Sequence, residues 1–205
     1  MRRVAAILLA ALLSGCFRGP EPGLVPPDKT APYATDREDA AYDGPYDLLD
    51  VYVEELNGSV VVMMQFRNFT AADGNLTLPK VEARIDVERE GRRTYYAGNE
   101  ANLSKPAPHL SWVMGRWTSG ERQELAEICT ENTVYAPEPP YFIRLEFEHV
   151  HTGLSTGRGV LHGLHVETSD FEGTAYDTLD ATSRRDLRGG PNPHDTCPLV
   201  AERPR

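Results

Sequence analysis

The sequence predicts an all-β protein whose folded part is a single antiparallel β-sandwich, jelly-roll or immunoglobulin-like, of seven to eight strands with one short helix. Two observations carry this prediction. Short segments of alternating apolar residues recur between residues 46 and 171, and Gly, Asn and Pro turn residues separate them. Apolar residues recur at the spacing of a helix only in residues 120–129. This favours a sandwich over an alternating βαβ arrangement.

The N-terminal segment, residues 1–15, has the layout of a secretory signal peptide. Two arginines precede an apolar run at residues 4–13. That run makes a helix of roughly 15 Å, about half of the hydrocarbon thickness, so it is too short to span a bilayer. Its ending, Leu13-Ser14-Gly15-Cys16, resembles the lipobox of prokaryotic lipoproteins. The resemblance implies a diacylglycerol on Cys16 and an extracytoplasmic protein anchored to the cell membrane, or to the outer membrane if the source is Gram-negative; a plain signal peptide is the alternative.

Residues 16–45 carry the lipidation site and then many prolines, glycines and charges without apolar periodicity. This composition predicts a disordered tether. The alternative is a strap packed along the domain surface and anchored by Tyr33, Tyr42 and Tyr46.

The folded domain, residues 46–171, opens with the clearest hairpin signal of the chain. Leu49, Val51 and Val53 alternate before an Asn57-Gly58 turn. The run at residues 60–66 is apolar on both faces, which predicts a central strand.

The remaining elements follow the same reasoning. Residues 80–97 predict a hairpin around Glu90-Gly91, and residues 109–117 predict a further strand. Residues 120–129 predict the short helix, and a second clear pair of strands follows at residues 141–150 and 159–168. The polar residues 172–205 are expected to form a tail over the surface.

Two cysteines, Cys129 and Cys197, lie in the exported part of the chain, where disulfides persist. A bridge between them predicts a stabilisation of roughly 4 kcal/mol in the chain-entropy model and fastens the tail to the domain. Free thiols or part of a metal site are the alternatives.

Four glycosylation sequons also occur, and they predict glycosylation only if the source is an archaeon: Asn57, Asn68, Asn75 and Asn102.

The formal net charge of −10, without a basic stripe, argues against nucleic acid and anionic lipid surfaces as partners. The membrane contact is therefore expected through the lipid on Cys16. An envelope polysaccharide or a partner protein remains as the second kind of partner.

The segment YDLLDVYVEELNGSVVVMMQF, which follows acidic residues at Asp36, Asp39 and Asp43, resembles the first hairpin of exported DOMON-like β-sandwiches, relatives of carbohydrate-binding modules. The resemblance implies a jelly-roll-like sandwich that binds a sugar, a haem or another protein, without catalysis of its own. In the haem-binding members a Met and a His hold the iron. The residues of these types here are Met63, Met64, His162 and His165.

Aromatic residues around one predicted strand pair offer a ligand-binding platform formed by Trp112, Trp117 and Tyr95, with Tyr96 beside them. Trp112 and Trp117 are five residues apart, so an unbroken strand points them to opposite faces and places one in the core. A bulge at Gly115 would change this.

No cofactor is predicted, and zinc, calcium and haem are the alternatives. His149 and His151 share one face of a strand, and His162, with His165, could complete a zinc site. Two sets of carboxylates offer oxygen ligands for calcium. The first set is Asp36, Glu38, Asp39, Asp43, Asp47 and Asp50, and the second is Asp170, Asp177 and Asp180. Haem rests on the methionines and histidines named above.

These observations together predict a membrane-anchored, extracytoplasmic lipoprotein that is a non-catalytic binding or interaction module of the cell envelope. An accessory structural subunit of an envelope assembly is the first alternative. A metal-dependent hydrolase built on His149, His151, His162 and His165 is the second.

Overall fold

The computed structural model describes residues 31–36, 44–56, 59–70, 74, 78–102, 109–127, 134–136, 141–148 and 152–190. Two antiparallel sheets face each other across one core, which confirms the predicted all-β sandwich. The strands are β1 (Ala34–Thr35), β2 (Leu48–Leu56), β3 (Ser59–Phe66), β4 (Lys80–Glu88), β5 (Arg92–Asn102), β6 (His109–Thr118), β7 (Glu121–Glu127), β8 (Val134–Ala136), β9 (Tyr141–Phe147), β10 (Gly159–Ser169), β11 (Ala175–Ala181) and β12 (Arg185–Leu187).

The five-stranded sheet has the order β1-β2-β3-β9-β8, and the seven-stranded sheet has the order β11-β10-β4-β5-β6-β7, with β12 paired to β10. The described residues contain twelve strands, and three of them are only two or three residues long. The nine longer strands still exceed the predicted seven to eight, because β7 lies where a helix was predicted and β11 lies in the predicted tail. β3 lies between β2 and β9, so its apolar residues on both faces belong to a central strand, as predicted.

Alternation along the strands directs one face of each sheet into the core. In β4 the buried residues are Val81, Ala83, Ile85 and Val87, and charged residues lie between them. In β9, Ile143, Leu145 and Phe147 take the same role. Burial of such side chains contributes about 1.5–3 kcal/mol each, which makes this core the main source of stability.

The predicted helix at residues 120–129 is wrong. Residues 121–127 form β7, which pairs with β6 through a tight turn at Ser119 and Gly120. Both turn residues have positive φ, 55° and 81°, which is the geometry of a type I′ hairpin turn. The hairpin therefore overrides the weak helical spacing of apolar residues in this segment.

The strands at residues 141–147 and 159–169 enter different sheets. β9 pairs with β3 and β8, whereas β10 pairs with β4, β11 and β12. The connection between them contains a 3-10 turn at Leu154–Thr156, and the side chain of Leu154 is fully buried.

The folded region extends beyond the predicted residues 46–171 at both ends. β11 and β12 lie within the segment assigned to a surface tail, and they complete the seven-stranded sheet. β1 lies within the predicted tether and pairs with β2, so residues 33–36 follow the alternative of a surface strap. Within the residues that the structure covers, no helix has the length and apolar character needed to cross a membrane.

Candidate functional site

The outer face of the seven-stranded sheet is built by the residues that alternate with the core positions. Register places Arg84 of β4 opposite His165 of β10 on one side and Tyr96 of β5 on the other. Two residues before Tyr96 and on the same face of β5, Thr94 lies opposite Trp117 of β6. Charged and aromatic side chains from strands distant in sequence therefore meet on one surface.

Two arginine side chains lie over two aromatic rings on this surface. The guanidinium of Arg84 is 4.3 Å from the ring centroid of Trp117, and that of Arg122 is 4.3 Å from the ring of Tyr96. The two rings meet edge to face with their centroids 6.3 Å apart. Each arrangement is attractive, by about 0.5–2 kcal/mol for a cation over a ring and about 0.5–1.5 kcal/mol for a ring pair.

One carboxylate holds both guanidinium groups in place. Glu82 lies 2.5 Å from Arg84 and 3.3 Å from Arg122, and its side chain is only 12% exposed. Arg122 also pairs with Glu100 at 2.8 Å. We call Glu82, Arg84, Tyr96, Trp117 and Arg122 the arginine–aromatic face, and its ion pairs fix the guanidinium groups over the rings.

Gly115 provides the space in which the ring of Tyr96 lies. A Cβ atom at this position would collide with the Tyr96 ring and with the backbone carbonyl of Gln123. The pairing of β6 with β7 changes register between Met114 and Gly115, but the pairing of β6 with β5 continues through Gly115, so Trp112 and Trp117 keep opposite faces and the change of face considered for a bulge at Gly115 does not occur. Tyr96 is consequently buried although it belongs to the outer face.

The three aromatic residues predicted to bind a ligand do not share one face. Tyr95 and Trp112 belong to the hydrophobic core, with 1% and 8% exposure, whereas Trp117 lies on the outer face. The opposite orientation of Trp112 and Trp117 agrees with their spacing on a strand. The sequence-based interpretation included Tyr96 in the aromatic platform but gave no role to Arg84 or Arg122, which cover the two outer rings from β4 and β7.

His162 and His165 lie on the same outer face, each beside a carboxylate. His162 Nε2 is 2.6 Å from Glu88, and His165 Nδ1 is 2.7 Å from Asp180. The pairing of β10 with β4 shifts register between Leu161 and Gly163, and His162 is the extra residue of this β-bulge. The bulge turns the side chain of His162 towards Glu88. Carboxylate partners were not expected from the sequence, because they come from neighbouring strands.

Three carboxylates from separate parts of the chain meet at one end of the sandwich: Asp36 after β1, Asp47 before β2, and Asp177 on β11. Their oxygens lie within 4.8 Å of one another, and Asp47 and Asp177 are buried. We call these three residues the carboxylate cluster. It joins members of the two predicted calcium-ligand sets, but three carboxylates supply at most part of the six to eight oxygens that calcium takes.

Hydrogen bonds hold the two buried members of this cluster. Arg67 forms an ion pair with Asp47 through its Nε atom. The amides of Leu48 and Thr178 donate to Asp177 at 2.8 and 2.7 Å. Burial, followed by the nearby Asp36 and Asp47 charges, raises the pKa of Asp177, although the two amides oppose this rise.

The predicted haem ligands do not meet. Met64 lies in the core and Met63 on the outer face of the five-stranded sheet, whereas His162 and His165 lie on the outer face of the other sheet. Opposed sheets are about 10 Å apart, so no methionine and histidine of this set can ligate one iron.

Several predicted residues lie outside the described residues: Cys16, Cys129, Cys197, His149, His151, Asn57 and Asn75. Lipidation, the disulfide and a zinc site that uses His149 and His151 therefore stay predictions. Of the other sequons, Asn68 accepts a hydrogen bond from the amide of Thr70 at 3.2 Å, and Asn102 is the last residue of β5.

No protein-family model, curated protein or solved structure matches this chain. The protein is an all-β sandwich, and the function of the protein is inferred from its own residues.

Proposed function

We propose that this protein is a lipid-anchored, extracytoplasmic and non-catalytic interaction module that binds a partner protein of the cell envelope through the arginine–aromatic face. The observation that carries the proposal is the pair of aromatic rings, each covered by an arginine that an ion pair holds in place. Tryptophan, tyrosine and arginine are the residues most enriched where protein interfaces gain their binding energy.

A partner protein fits this surface better than a polysaccharide. Sugar rings stack on uncovered aromatic faces, but Arg84 already lies 4.3 Å over the ring of Trp117. The surface is also the open side of a β-sheet, which suits the broad contact of a protein interface.

The charges around this face define the chemistry of the partner. Carboxylates outnumber guanidinium groups among the ion pairs on the outer side of the sheet, where the guanidinium groups belong to Arg84 on β4, Arg92 on β5 and Arg122 on the edge strand β7. The carboxylates are Glu82, Asp86, Glu88, Glu100, Glu167 and Asp180. A partner with lysine or arginine side chains around an apolar centre complements this arrangement.

The lipid anchor supports the same proposal from the sequence. A lipid on Cys16 supplies membrane affinity of about 0.8 kcal/mol per buried methylene, so no face of the sandwich is needed for membrane binding. An accessory structural subunit of an envelope assembly is the second candidate, and the same acidic outer face favours it because such subunits are held by protein contacts.

Fractionation of source cells tests the anchor. The wild type is expected in the membrane fraction with a diacylglycerol-modified N-terminal peptide by mass spectrometry, and Cys16→Ser is expected in the soluble fraction. Cys129→Ser is the matched control and is expected to stay anchored. Membrane association of Cys16→Ser equal to that of wild type would refute the anchor.

Partner recovery from a detergent-solubilised envelope extract tests the face. Trp117→Ala and Arg84→Ala are each expected to reduce recovery of the specific partner by roughly 30-fold, the effect of losing about 2 kcal/mol. Glu90→Ala, in an exposed turn away from this surface, is the control and should leave recovery unchanged. Equal recovery with all variants, at unchanged melting temperature, would rule out this face.

A further inference from the structure

The sandwich has a small cavity at one end, where the turn between β4 and β5 meets the connection from β9 to β10. Its volume is about 80 Å³. The described residues around it include Arg89, Glu90 and Arg93 from the β4–β5 hairpin, and Thr152 and Gly153 from the connection. Arg93 is exposed and the side chain of Glu90 is 78% exposed, so the cavity is open to solvent. Two arginines therefore line an accessible cavity in a chain whose net charge is −10.

Register brings a third arginine beside this cavity. Tyr95 forms part of the cavity wall, and Arg116 of β6 lies directly opposite Tyr95. The guanidinium of Arg116 is 5.9 Å from the centroid of the Tyr95 ring. Arg93 is two residues from Tyr95 on the same face of β5, opposite the core residue Val87. Arg93 and Arg116 therefore flank the same tyrosine on the inner side of the sheet.

The three arginines differ in how they are held. Arg89 donates through Nη1 to the carbonyl of Gly153, and its Nη2 lies 3.5 Å from the carboxylate of Glu90. Among the residues that the structure describes, neither Arg93 nor Arg116 is recorded in an ion pair, and Nε of Arg116 is shielded from solvent without a hydrogen-bond partner. A cation with a shielded, unpaired N–H group carries a cost in free energy, which a nearby anion reduces.

We propose that the cavity formed by Arg89, Arg93, Tyr95 and Arg116, which we call the arginine cavity, binds a phosphate group. Arg93 and Arg116 supply two positive charges without a carboxylate partner. A phosphate monoester carries about −1.5 to −2 charges at neutral pH and matches them, whereas a carboxylate neutralises only one. The hydroxyl of Tyr95 is a further donor, because its hydrogen bond to the carbonyl of Thr152 is long, at 3.4 Å.

The size of the cavity limits what enters it. A volume of about 80 Å³ is well above the roughly 10–15 Å³ that one water needs, but far below the roughly 300–1,000 Å³ of pockets that enclose a drug-sized ligand. The cavity therefore takes the phosphate group itself and leaves the rest of a phosphorylated compound outside. A soluble phosphate compound and a phospholipid head group both carry this chemistry.

The arginine cavity is separate from the arginine–aromatic face. Tyr95 and Arg116 belong to the inner side of the seven-stranded sheet, whereas their neighbours along the strands, Tyr96 and Trp117, belong to its outer side. Loss of binding at one of these sites therefore leaves the other in place.

Calorimetric titration of the full chain with inorganic phosphate, at an ionic strength held constant with sodium chloride, tests the cavity. Saturable binding of one phosphate is expected. Arg93→Gln and Arg116→Gln are each expected to weaken this binding by about tenfold or more, because each removes a charged donor. Acetate, which carries one charge, is expected to bind at least about tenfold more weakly than phosphate.

Arg92→Gln is the matched control. Arg92 is the neighbour of Arg93 on β5 but pairs with Asp86 at 2.5 Å on the outer side, so this variant should bind phosphate as the wild type does. Trp117→Ala should also leave phosphate binding unchanged. If Arg116→Gln does not fold, Arg93→Gln carries the test, since Arg93 is exposed. Absence of saturable phosphate binding, wild-type affinity in Arg93→Gln, or acetate binding as tight as phosphate binding would overturn the proposal.

Vesicle sedimentation distinguishes the two sources of the phosphate group. The probe is the Cys16→Ser chain, which has no thiol to carry the lipid, with vesicles that contain phosphatidic acid. Sedimentation that is lost when Arg93→Gln is added assigns the cavity to a lipid head group. Binding of inorganic phosphate without sedimentation assigns it to a soluble phosphate compound, which is the result expected for a chain with a net charge of −10 beside an anionic surface.

Discussion

Asn99 is a buried polar side chain whose two hydrogen bonds both go to the segment that enters β4. Its Oδ1 accepts from the amide of Val81 at 2.7 Å, and its Nδ2 donates to the carbonyl of Pro79 at 2.8 Å. The residue is 1% exposed, so water cannot replace these partners. The side chain therefore fixes where β4 begins beside β5.

Truncation of this side chain should be costly. Asn99→Ala is expected to lower the free energy of unfolding by about 2–4 kcal/mol, because it leaves a buried donor and a buried acceptor unpaired. Urea denaturation measures the change. Glu90→Ala, whose side chain is 78% exposed, is the control and should stay within about 0.5 kcal/mol of the wild type. A similar small effect for Asn99→Ala would contradict this role.

Asp170 shows the opposite pKa direction from Asp177. The amide of Thr174 first, and then further hydrogen bonds from Tyr176 and Glu172, lower the pKa of Asp170 in the turn between β10 and β11. A lowered pKa gives stability that is present above the unfolded-state value, about 3.9, and is lost as the pH falls through the folded-state value.

Asp170→Asn is therefore expected to melt below the wild type at neutral pH, and the difference should narrow below about pH 4. Thermal denaturation at both pH values measures it. Asp186→Asn, with an 87% exposed side chain, serves as the control and should match the wild type throughout. A difference for Asp170→Asn that is constant with pH would show that the charge has no part in it.

At the scale of elements, the turn at Ser119 and Gly120 explains why β7 is a strand. Both residues need positive φ, so Gly120→Ala is expected to destabilise the protein by about 1–2 kcal/mol. Ser119→Asn should instead be neutral or stabilising, because Asn is favoured in type I′ turns. Urea denaturation of the two variants compares them, and equal effects would contradict the turn assignment.

The edge of β2 is covered by residues from the C-terminal part of the domain. Arg185 donates to the carbonyl of Val53, and Glu55 accepts from the amides of Arg188 and Gly189 at 2.8 and 2.5 Å. An uncovered strand edge invites pairing with other chains, so this cover protects the sandwich from edge association.

Glu55→Ala should release this cover without unfolding the sandwich. The amides of Arg188 and Gly189 are expected to exchange about tenfold faster or more, because they lose a charged acceptor. Glu54→Ala, the neighbouring residue on β2, is the matched control and should leave them unchanged. Unaltered exchange in Glu55→Ala would place the anchor of this segment elsewhere.

At the scale of the whole molecule, the sequence predicts those structural features that depend on residues close together in the chain. Alternation along the chain was enough for the sandwich, the central position of β3 and the hairpin around Gly91. It was not enough for the turn at Ser119, where local spacing favoured a helix.

The functional surface could not be predicted because it depends on register between distant strands. Arg122 reaches Glu82 only because β7, β6, β5 and β4 lie side by side in that order. The carboxylate cluster likewise joins residues that are more than a hundred positions apart, Asp36 and Asp177.

Photo-crosslinking in source cells tests the central proposal most directly. A photoreactive residue at position 92, on β5 beside the arginine–aromatic face, is compared with one at position 56, at the end of β2; the native side chains are 59% and 48% exposed. We predict one discrete protein adduct from position 92 that is absent from position 56 and is lost when Trp117→Ala is added. The same adducts from both positions, or an adduct that persists in Trp117→Ala, would contradict binding through this face.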